Sequence, residues 1–193
     1  MAADLAREPV SLDEAKKHLG VRTAFRDDEI ARLVVAAREK VEEYTGRALT
    51  RRTVVDQLGG FGSTREPACL TFGPVHSVTA VRYLAAAGDL VALAAVARVI
   101  RFVNSFRLYP TPGQSWPSLG EPALVEVEYE AGFGPREDGS AGDPVPELLR
   151  QAMLLLVGTW FENHEGAVVG TVTAELPFGV RELCRGFRPS GLA

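Results

Sequence analysis

The sequence predicts an α+β protein in which N- and C-terminal helices form a small helical bundle and a β-rich insertion lies between them. Residues 28–46 repeat apolar side chains every three or four positions, as an amphipathic helix does. Residues 147–163 do so over a wider arc, which is typical of a more buried helix. Between them, residues 125–130 alternate Val or Tyr with Glu, the period of a strand with one buried face.

Capping residues mark where the predicted helices begin and end. Ser11 and Glu14 form a capping box that starts a short first helix, which should stop near Gly20. The second helix begins at a pair of aspartates whose carboxylates face the positive end of the helix dipole, and Gly46 ends it. A last short helix follows Pro177, where a proline suits the start of a helix.

The middle of the chain changes to short β-type runs separated by Gly and Pro. Residues 90–103 mix Ala-rich and β-branched composition, and we favour strands there because the neighbouring runs are strands. The other predicted strands are residues 53–55, 69–72, 77–84 and 125–130. The predicted organisation is therefore N-terminal helices of the bundle over 1–50, a β-rich insertion over 51–134, and a linker with the C-terminal helices and a tail over 135–193.

Composition excludes several classes of protein. The 193 residues are 46% hydrophobic with a formal charge of −4, which is ordinary for a folded protein and argues against a protein that coats DNA. Cys69 and Cys184 lack metal-ligand spacing, so we expect two free, mostly buried thiols. The first residues lack the apolar core of a signal peptide, and the dense apolar run 152–161 is too short to span a bilayer. We expect a protein made in the cytoplasm, with no membrane partner.

No segment carries a recognisable catalytic signature. Residues 59–64 (GGFGST) superficially resemble a phosphate-binding loop, but the Lys that such a loop needs before Ser or Thr is missing, so a turn is predicted. His164 and Glu165 lack a second His one helical turn later, and His18 and His76 are isolated in sequence. We therefore expect no catalytic residue, no cofactor and no metal site.

Three carboxylates follow one face of the predicted strand 125–130, and they are Glu126, Glu128 and Glu130. Alternation alone accounts for them as a solvated face. The functional interpretation is an acidic surface that faces a negatively charged partner and repels it, so that the partner does not bind.

The C-terminal segment combines aromatic and basic residues. Its arginines suit the negative end of a helix dipole, with the aromatic side chains packed inward. They are also residue types enriched at interface hot spots, which predicts a docking tail with Phe178, Leu183 and Phe187 on its apolar side. The complete set of docking candidates is Phe178, Arg181, Leu183, Arg185, Phe187 and Arg188.

Several stretches, in order along nearly the whole chain, resemble the head-tail connector (adaptor) family of long-tailed phages and phage-like gene transfer agents. The motifs that carry the resemblance are SLDEAK at 11–16, EYTGRAL at 43–49, GPV at 73–75, AGFG at 131–134, WFEN at 160–163 and LPFGV at 176–180. Two positions depart from the family pattern. His164 stands where Arg is usual, and residues 183–188 (LCRGFR) replace Leu-Leu-x-Pro-Tyr-Arg while keeping the aromatic–Arg pair.

The resemblance implies a structural protein of the virion that lies at the head-tail interface. It implies a ring, dodecameric to match the portal, with the portal protein on one face and a tail-side connector (stopper) or tail terminator protein on the other. DNA would pass through a central channel without sequence-specific binding. Glu126, Glu128 and Glu130 are the channel-lining candidates, and the C-terminal segment is the portal-docking candidate.

Two other classes of protein remain as alternatives. A ring-forming DNA-packaging protein of the terminase small subunit type would need a basic recognition helix, whereas residues 28–46 mix basic and acidic side chains. A small hydrolase would need a nucleophile and base in a recognisable arrangement, which the sequence does not show.

Overall fold

The computed structural model describes residues 7–63, 67–93, 98–101, 104–135, 142–163 and 176–188. These residues form two compact units. The helical unit comprises the described residues of 1–50 and 133–188, and the β unit comprises those of 51–132. Helices near both ends of the chain with strands between them confirm the predicted α+β class. The predicted His164–Glu165 pair lies outside the described residues.

Four helices make up the helical unit, and their bounds are α1 Leu12–Leu19, α2 Asp27–Thr45, α3 Glu147–Glu162 and α4 Phe178–Arg185. The Ser11 half of the predicted capping box and both glycine ends are confirmed, whereas the Glu14 carboxylate accepts hydrogen bonds from Arg150 Nη2 at 2.7 and 2.8 Å. Ser11 Oγ accepts a hydrogen bond from the Glu14 amide at 3.2 Å. Gly20 and Gly46 end α1 and α2 with φ of 69° and 61°, in the left-handed region that favours glycine.

The helical unit is built around the pair α2 and α3, and both α1 and α4 pack against each of these two helices. Six residues of α3 are buried, which confirms the wide apolar arc predicted for this helix. The apolar stripe of α2 meets it through Ile30, Val34, Ala37 and Val41, each fully buried. Burial of this stripe, more than helix propensity, stabilises a helix of this length.

Seven strands make up the β unit, and their bounds are β1 Arg52–Leu58, β2 Cys69–Leu70, β3 Val75–Leu84, β4 Leu90–Ala92, β5 Arg98–Arg101, β6 Phe106–Tyr109 and β7 Val125–Ala131. They form a four-stranded sheet in the order β1-β7-β3-β4 and a three-stranded sheet in the order β2-β6-β5, with every pairing antiparallel. The sequence did not predict β6, whose place depends on its pairing with β2 and β5.

Buried residues from both sheets form one core. Val125, Val127 and Tyr129 of β7 meet Phe106 and Leu108 of β6 in a single apolar cluster. The outer faces of the two sheets therefore lie on opposite sides of that core. Glu126, Glu128 and Glu130 alternate with the buried residues of β7 and so belong to the outer face of the four-stranded sheet.

The glycine-rich segment 59–64 is a structural loop in its described part. Gly60 and Gly62 have φ of 152° and 71°, and Phe61 between them is buried. The Phe61 ring stacks on Trp116 with centroids 4.3 Å apart and an interplanar angle of 6°. The loop therefore anchors an aromatic side chain in the core, in agreement with the predicted turn.

The prediction of two buried thiols is wrong for one of them. Cys184 is buried in the core of the helical unit, whereas Cys69 is exposed. Cys69 pairs with Arg107 in the register of β2 and β6, which places it on the outer face of the three-stranded sheet.

Candidate interaction surfaces

The C-terminal segment is part of the helical unit's core on one side. Val180 and Cys184 of α4 are buried, and Leu183 and Phe187 are partly buried against the same cluster. Burial raises the pKa of the Cys184 thiol to about 11, so this group stays protonated at neutral pH. This side of α4 holds the helix in place and is covered.

Two polar contacts fix the residues that follow α4. Arg47 Nε donates a hydrogen bond to the Phe187 carbonyl at 3.1 Å. The Arg188 guanidinium lies 4.7 Å from the centroid of the Tyr44 ring, a cation–π contact. Phe187 and Arg188, both predicted docking residues, thus already contact the end of α2 and the segment after it.

The opposite side of α4 faces solvent. Phe178 is 72% exposed and the Arg185 side chain is 78% exposed. Glu182 lies between them and approaches Arg185 at 3.7 Å. The spacings of four and three residues place all three on one helical face.

The predicted position of Phe178 on the apolar side of the segment is therefore wrong. Val180 is two residues later, which is roughly 200° around the helix and so on the opposite side. Of the six docking candidates, Leu183 and Phe187 belong to the packed apolar side and Arg188 contacts Tyr44. Phe178, Arg181 and Arg185 lie outside the apolar cluster.

The three carboxylates of β7 have partners across the sheet. Arg51 donates to both oxygens of Glu130, at 2.6 and 2.8 Å, and its own side chain is only 5% exposed. Arg82 Nη2 lies 3.4 Å from Glu128. Gln57 Nε2 donates to Glu126 at 3.0 Å. On the outer face of the four-stranded sheet, Glu128 and Glu130 therefore lie beside arginines, whereas Glu126 is hydrogen-bonded to a neutral amide.

The outer face of the three-stranded sheet was not identified from the sequence. The pairing of β5 with β6 sets Arg98 opposite Tyr109 and Ile100 opposite Arg107. The sequence does show that residues 90–120 contain three arginines and no Asp or Glu. The sequence does not show which of these arginines share a face, because that depends on strand pairing.

Of the histidines in the described residues, one contacts a backbone carbonyl and the other is exposed. A ring nitrogen of His76 lies 2.8 Å from the Gly132 carbonyl, and His18 is exposed on α1. Among the described residues, no three or more His, Cys, Asp or Glu side chains are grouped to hold a metal ion. No helix in the described part of the chain is long and apolar enough to cross a membrane.

Comparison with known proteins finds one matching family model and several similar solved structures. Residues 9–87 match the family model described as phage gp6-like head-tail connector protein. No protein of curated function matches the sequence.

Three similar solved chains come from gene transfer agent (GTA) particles. A chain from the neck of an empty GTA particle with C6 symmetry is 25% identical, with a TM-score of 0.70 over 96% of this chain and 92% of that one. A chain from the virion of a native GTA particle is 27% identical, with a TM-score of 0.66 over 97% and 92%. A chain from the neck of a native GTA particle with C12 symmetry is 26% identical, with a TM-score of 0.66 over the same shares. The resemblance to head-tail connector proteins is confirmed.

Proposed function

We propose that this protein, similar to head-tail connectors in both its sequence and its fold, is a structural adaptor that forms a ring on the portal of a phage or gene transfer agent particle. The ring joins the portal protein to a tail-side connector or tail terminator protein, and it lies at the head-tail interface of the virion. It leaves a channel through which DNA passes. The function is structural and involves no catalysis.

The observation that carries this proposal is the agreement of two independent comparisons. The family model matches the N-terminal 9–87, whereas the structural similarity extends over 96% or more of the chain. The similar neck structures were computed with C6 and C12 symmetry, which supports a closed ring of identical copies. A closed ring requires a heterologous interface, in which two different surfaces of the same chain meet.

We further propose that the exposed side of α4 docks on the portal. Aromatic and Arg side chains exposed on one helical face are residue types that interfaces use as anchors once they are desolvated. Phe178 and Arg185 present this combination on a helix whose other side is fixed to α2 and α3. The helix is thus held in place before binding, which lowers the entropy lost on docking.

The packing of α4 decides how this proposal is tested. Deletion of residues 177–193 would remove Val180 and Cys184 from the core, so loss of binding could not be separated from loss of folding. The informative variant is Phe178→Ala/Arg185→Ala, which changes only exposed side chains. The matched control is Phe25→Ala/Arg32→Ala, which removes an aromatic side chain that is 94% exposed and an exposed arginine elsewhere on the helical unit.

We expect the Phe178/Arg185 variant to fold normally by circular dichroism and to bind the purified portal at least about thirtyfold more weakly, the effect of losing about 2 kcal/mol. The control should bind as the wild type does. Equal binding by both variants would contradict the docking proposal, while the ring proposal would stand.

A further inference from the structure

The four-stranded sheet has two free edges. β1 lies at one end of the sheet and β4 at the other, and within the described residues neither strand pairs on its outer side. A free edge presents backbone N–H and C=O groups that can bind another extended segment. β1 has seven residues in an unbroken register and contains no lysine or proline, the residues that commonly protect an edge strand. By contrast, β5 at an edge of the other sheet is shorter and has an arginine at each end.

Hydrogen bonds determine which backbone groups of β1 face its free edge. The Leu84 amide donates to the Leu124 carbonyl at 2.9 Å, so even-numbered residues along β7 direct their backbone groups toward β3 and odd-numbered residues direct theirs toward β1. The residues of β1 that oppose the even-numbered residues of β7 therefore direct their N–H and C=O groups away from the sheet. They are Thr53, Val55 and Gln57.

The same reasoning applies to β4. The Leu93 amide, next to the end of β4, donates to the Val81 carbonyl at 2.8 Å, so odd-numbered residues in this stretch bond to β3. The N–H and C=O groups of Leu90 and Ala92 therefore point away from the sheet at its other edge.

Exposed apolar side chains coincide with these two edges. In the described part of the β unit, the large apolar side chains that are exposed all belong to β1 or β4, and they are Val55, Leu90 and Val91. The register of the sheet places Val55 and Leu90 on its outer face. Pairing of either edge with another strand would remove this apolar surface from water as well as satisfy the backbone groups.

We infer that β1 of one copy pairs with β4 of the next copy, so that the four-stranded sheet continues from copy to copy around the ring. This inference rests on the proposed connector function, because a ring places copies of this chain side by side. A closed ring needs two different surfaces of the same chain that fit each other. The two edges of this sheet are such a pair, since each offers the backbone groups that the other lacks.

The directions of the strands agree with this contact. Four antiparallel strands in the order β1-β7-β3-β4 make β1 and β4 run in opposite directions. Copies repeated in one orientation therefore bring β1 antiparallel to the β4 of a neighbour. On both edges the residues with outward backbone groups have their side chains on the outer face, as residues paired across one sheet must.

The contact is weak between two copies and gains strength in a closed ring. β4 has three residues, so one junction supplies only a few backbone hydrogen bonds. In a closed ring each copy makes two such contacts, and binding to the portal brings the edges together at high effective concentration. Rings are therefore favoured when the portal is present.

The test is disulfide cross-linking of the full-length protein mixed with its portal, in a Cys69→Ser background that removes the exposed native thiol. Val55→Cys/Leu90→Cys and Val55→Cys/Ala92→Cys cover the two registers in which Val55 lies opposite a residue with outward backbone groups. Hydrogen-bonded antiparallel pairs have Cα atoms about 5.5 Å apart, which a disulfide can bridge. The matched controls are the single variants, each with one added thiol.

We expect at least one double variant to give covalent oligomers larger than dimers, which a reductant dissociates, while the single variants remain monomeric on denaturing gels. Val55→Pro removes an outward N–H and breaks no bond to β7, so it should abolish ring formation. Val55→Thr keeps the N–H and the β-branched shape and should form rings as the wild type does. Circular dichroism checks that Val55→Pro is folded, and the cross-linking result does not depend on that variant.

Three results would overturn the inference and leave the connector proposal standing. The first is rings, seen by light scattering and negative stain, that give no cross-links in either double variant. The second is dimers of the single variants as abundant as the oligomers of the double variants, because like edges would then pair with each other. The third is a folded Val55→Pro protein that still forms rings. A wild type that forms no rings with portal present would contradict both proposals.

Discussion

A buried carboxylate links the two sheets of the β unit. Asp56 of β1 is buried, and its Oδ2 accepts hydrogen bonds from the Tyr129 hydroxyl at 2.9 Å and from the Thr71 amide at 2.7 Å. The Tyr129 oxygen in turn accepts from the Phe72 amide at 3.1 Å. These bonds connect β1 and β7 to the segment that follows β2, so the residues depend on one another for hydrogen-bond partners.

Replacement of Asp56 by Ala should destabilise the protein markedly. The Tyr129 hydroxyl and the Thr71 amide would lose their acceptor in a buried site, which typically costs about 1–3 kcal/mol per unsatisfied group. We expect urea denaturation to show a loss of about 2–3 kcal/mol in the free energy of unfolding. Asp89→Ala, at an exposed turn, is the control and should change it by less than about 0.5 kcal/mol. Equal effects of the two variants would contradict the network.

The same network predicts how stability depends on pH at alkaline values. Burial raises the pKa of Tyr129 above its usual value, because the charged phenolate would lose its hydration. The contribution of the neutral phenol is therefore complete below the unfolded pKa of about 10 and is lost as pH rises above it. We expect the melting temperature of the wild type to fall above about pH 10, and Tyr129→Phe to show a smaller fall over the same range. Identical alkaline losses in the two proteins would exclude Tyr129 as the group responsible.

At the scale of single elements, the helix ends depend on glycine where the backbone is left-handed. Gly46 has φ of 61° and donates its amide to the Glu42 carbonyl at the end of α2. Gly186, after α4, has φ of −68°, which any residue adopts, and nothing lies within 4 Å of a Cβ added there. The two glycines therefore have different requirements.

We expect Gly46→Ala to cost about 1 kcal/mol of stability, because an L side chain is strained at that φ. Gly186→Ala should be neutral or slightly stabilising, since Ala restricts the unfolded chain more than Gly does. Thermal melts of both variants check this, and a larger cost at Gly186 than at Gly46 would contradict the assigned backbone conformations.

The helices could be predicted from the sequence because their signals are local. The capping box at Ser11, the stripe of α2 and its end at Gly46 all lie within a few residues of what they determine. The strand β6 was missed because its place depends on pairing with β2 and β5. The predicted orientation of Phe178 was wrong. Its spacing of two residues from Val180 already placed it on the other side of the helix.

The candidate surfaces were only partly predictable because their charges interact over long sequence separations. Arg51 neutralises Glu130 from 79 residues away, and Arg82 reaches Glu128 from 46 residues away. A sequence shows three carboxylates on one strand face, but it does not show which neighbouring strand supplies their partners. The sequence therefore predicts an acidic face where two of the three carboxylates pair with arginines.

At the scale of the whole molecule, the two units differ in charge as well as in structure. The formal charge of −4 belongs to the residues outside 51–132, because the insertion has equal numbers of arginines and acidic residues. In the proposed connector, the helical unit supplies the docking side of α4. This proposal depends on the chain forming a ring.

The most direct test of that central claim is to measure the mass of the purified full-length protein and to image it by negative stain, alone and mixed with its portal. We expect closed rings, with twelve copies if the protein follows the C12 symmetry of the similar neck structure. The rings should form at least in the presence of the portal. Side views of the mixture should then show the ring as a second layer, coaxial with the portal. A protein that stays monomeric at high concentration, and still does so with portal present, would contradict the account.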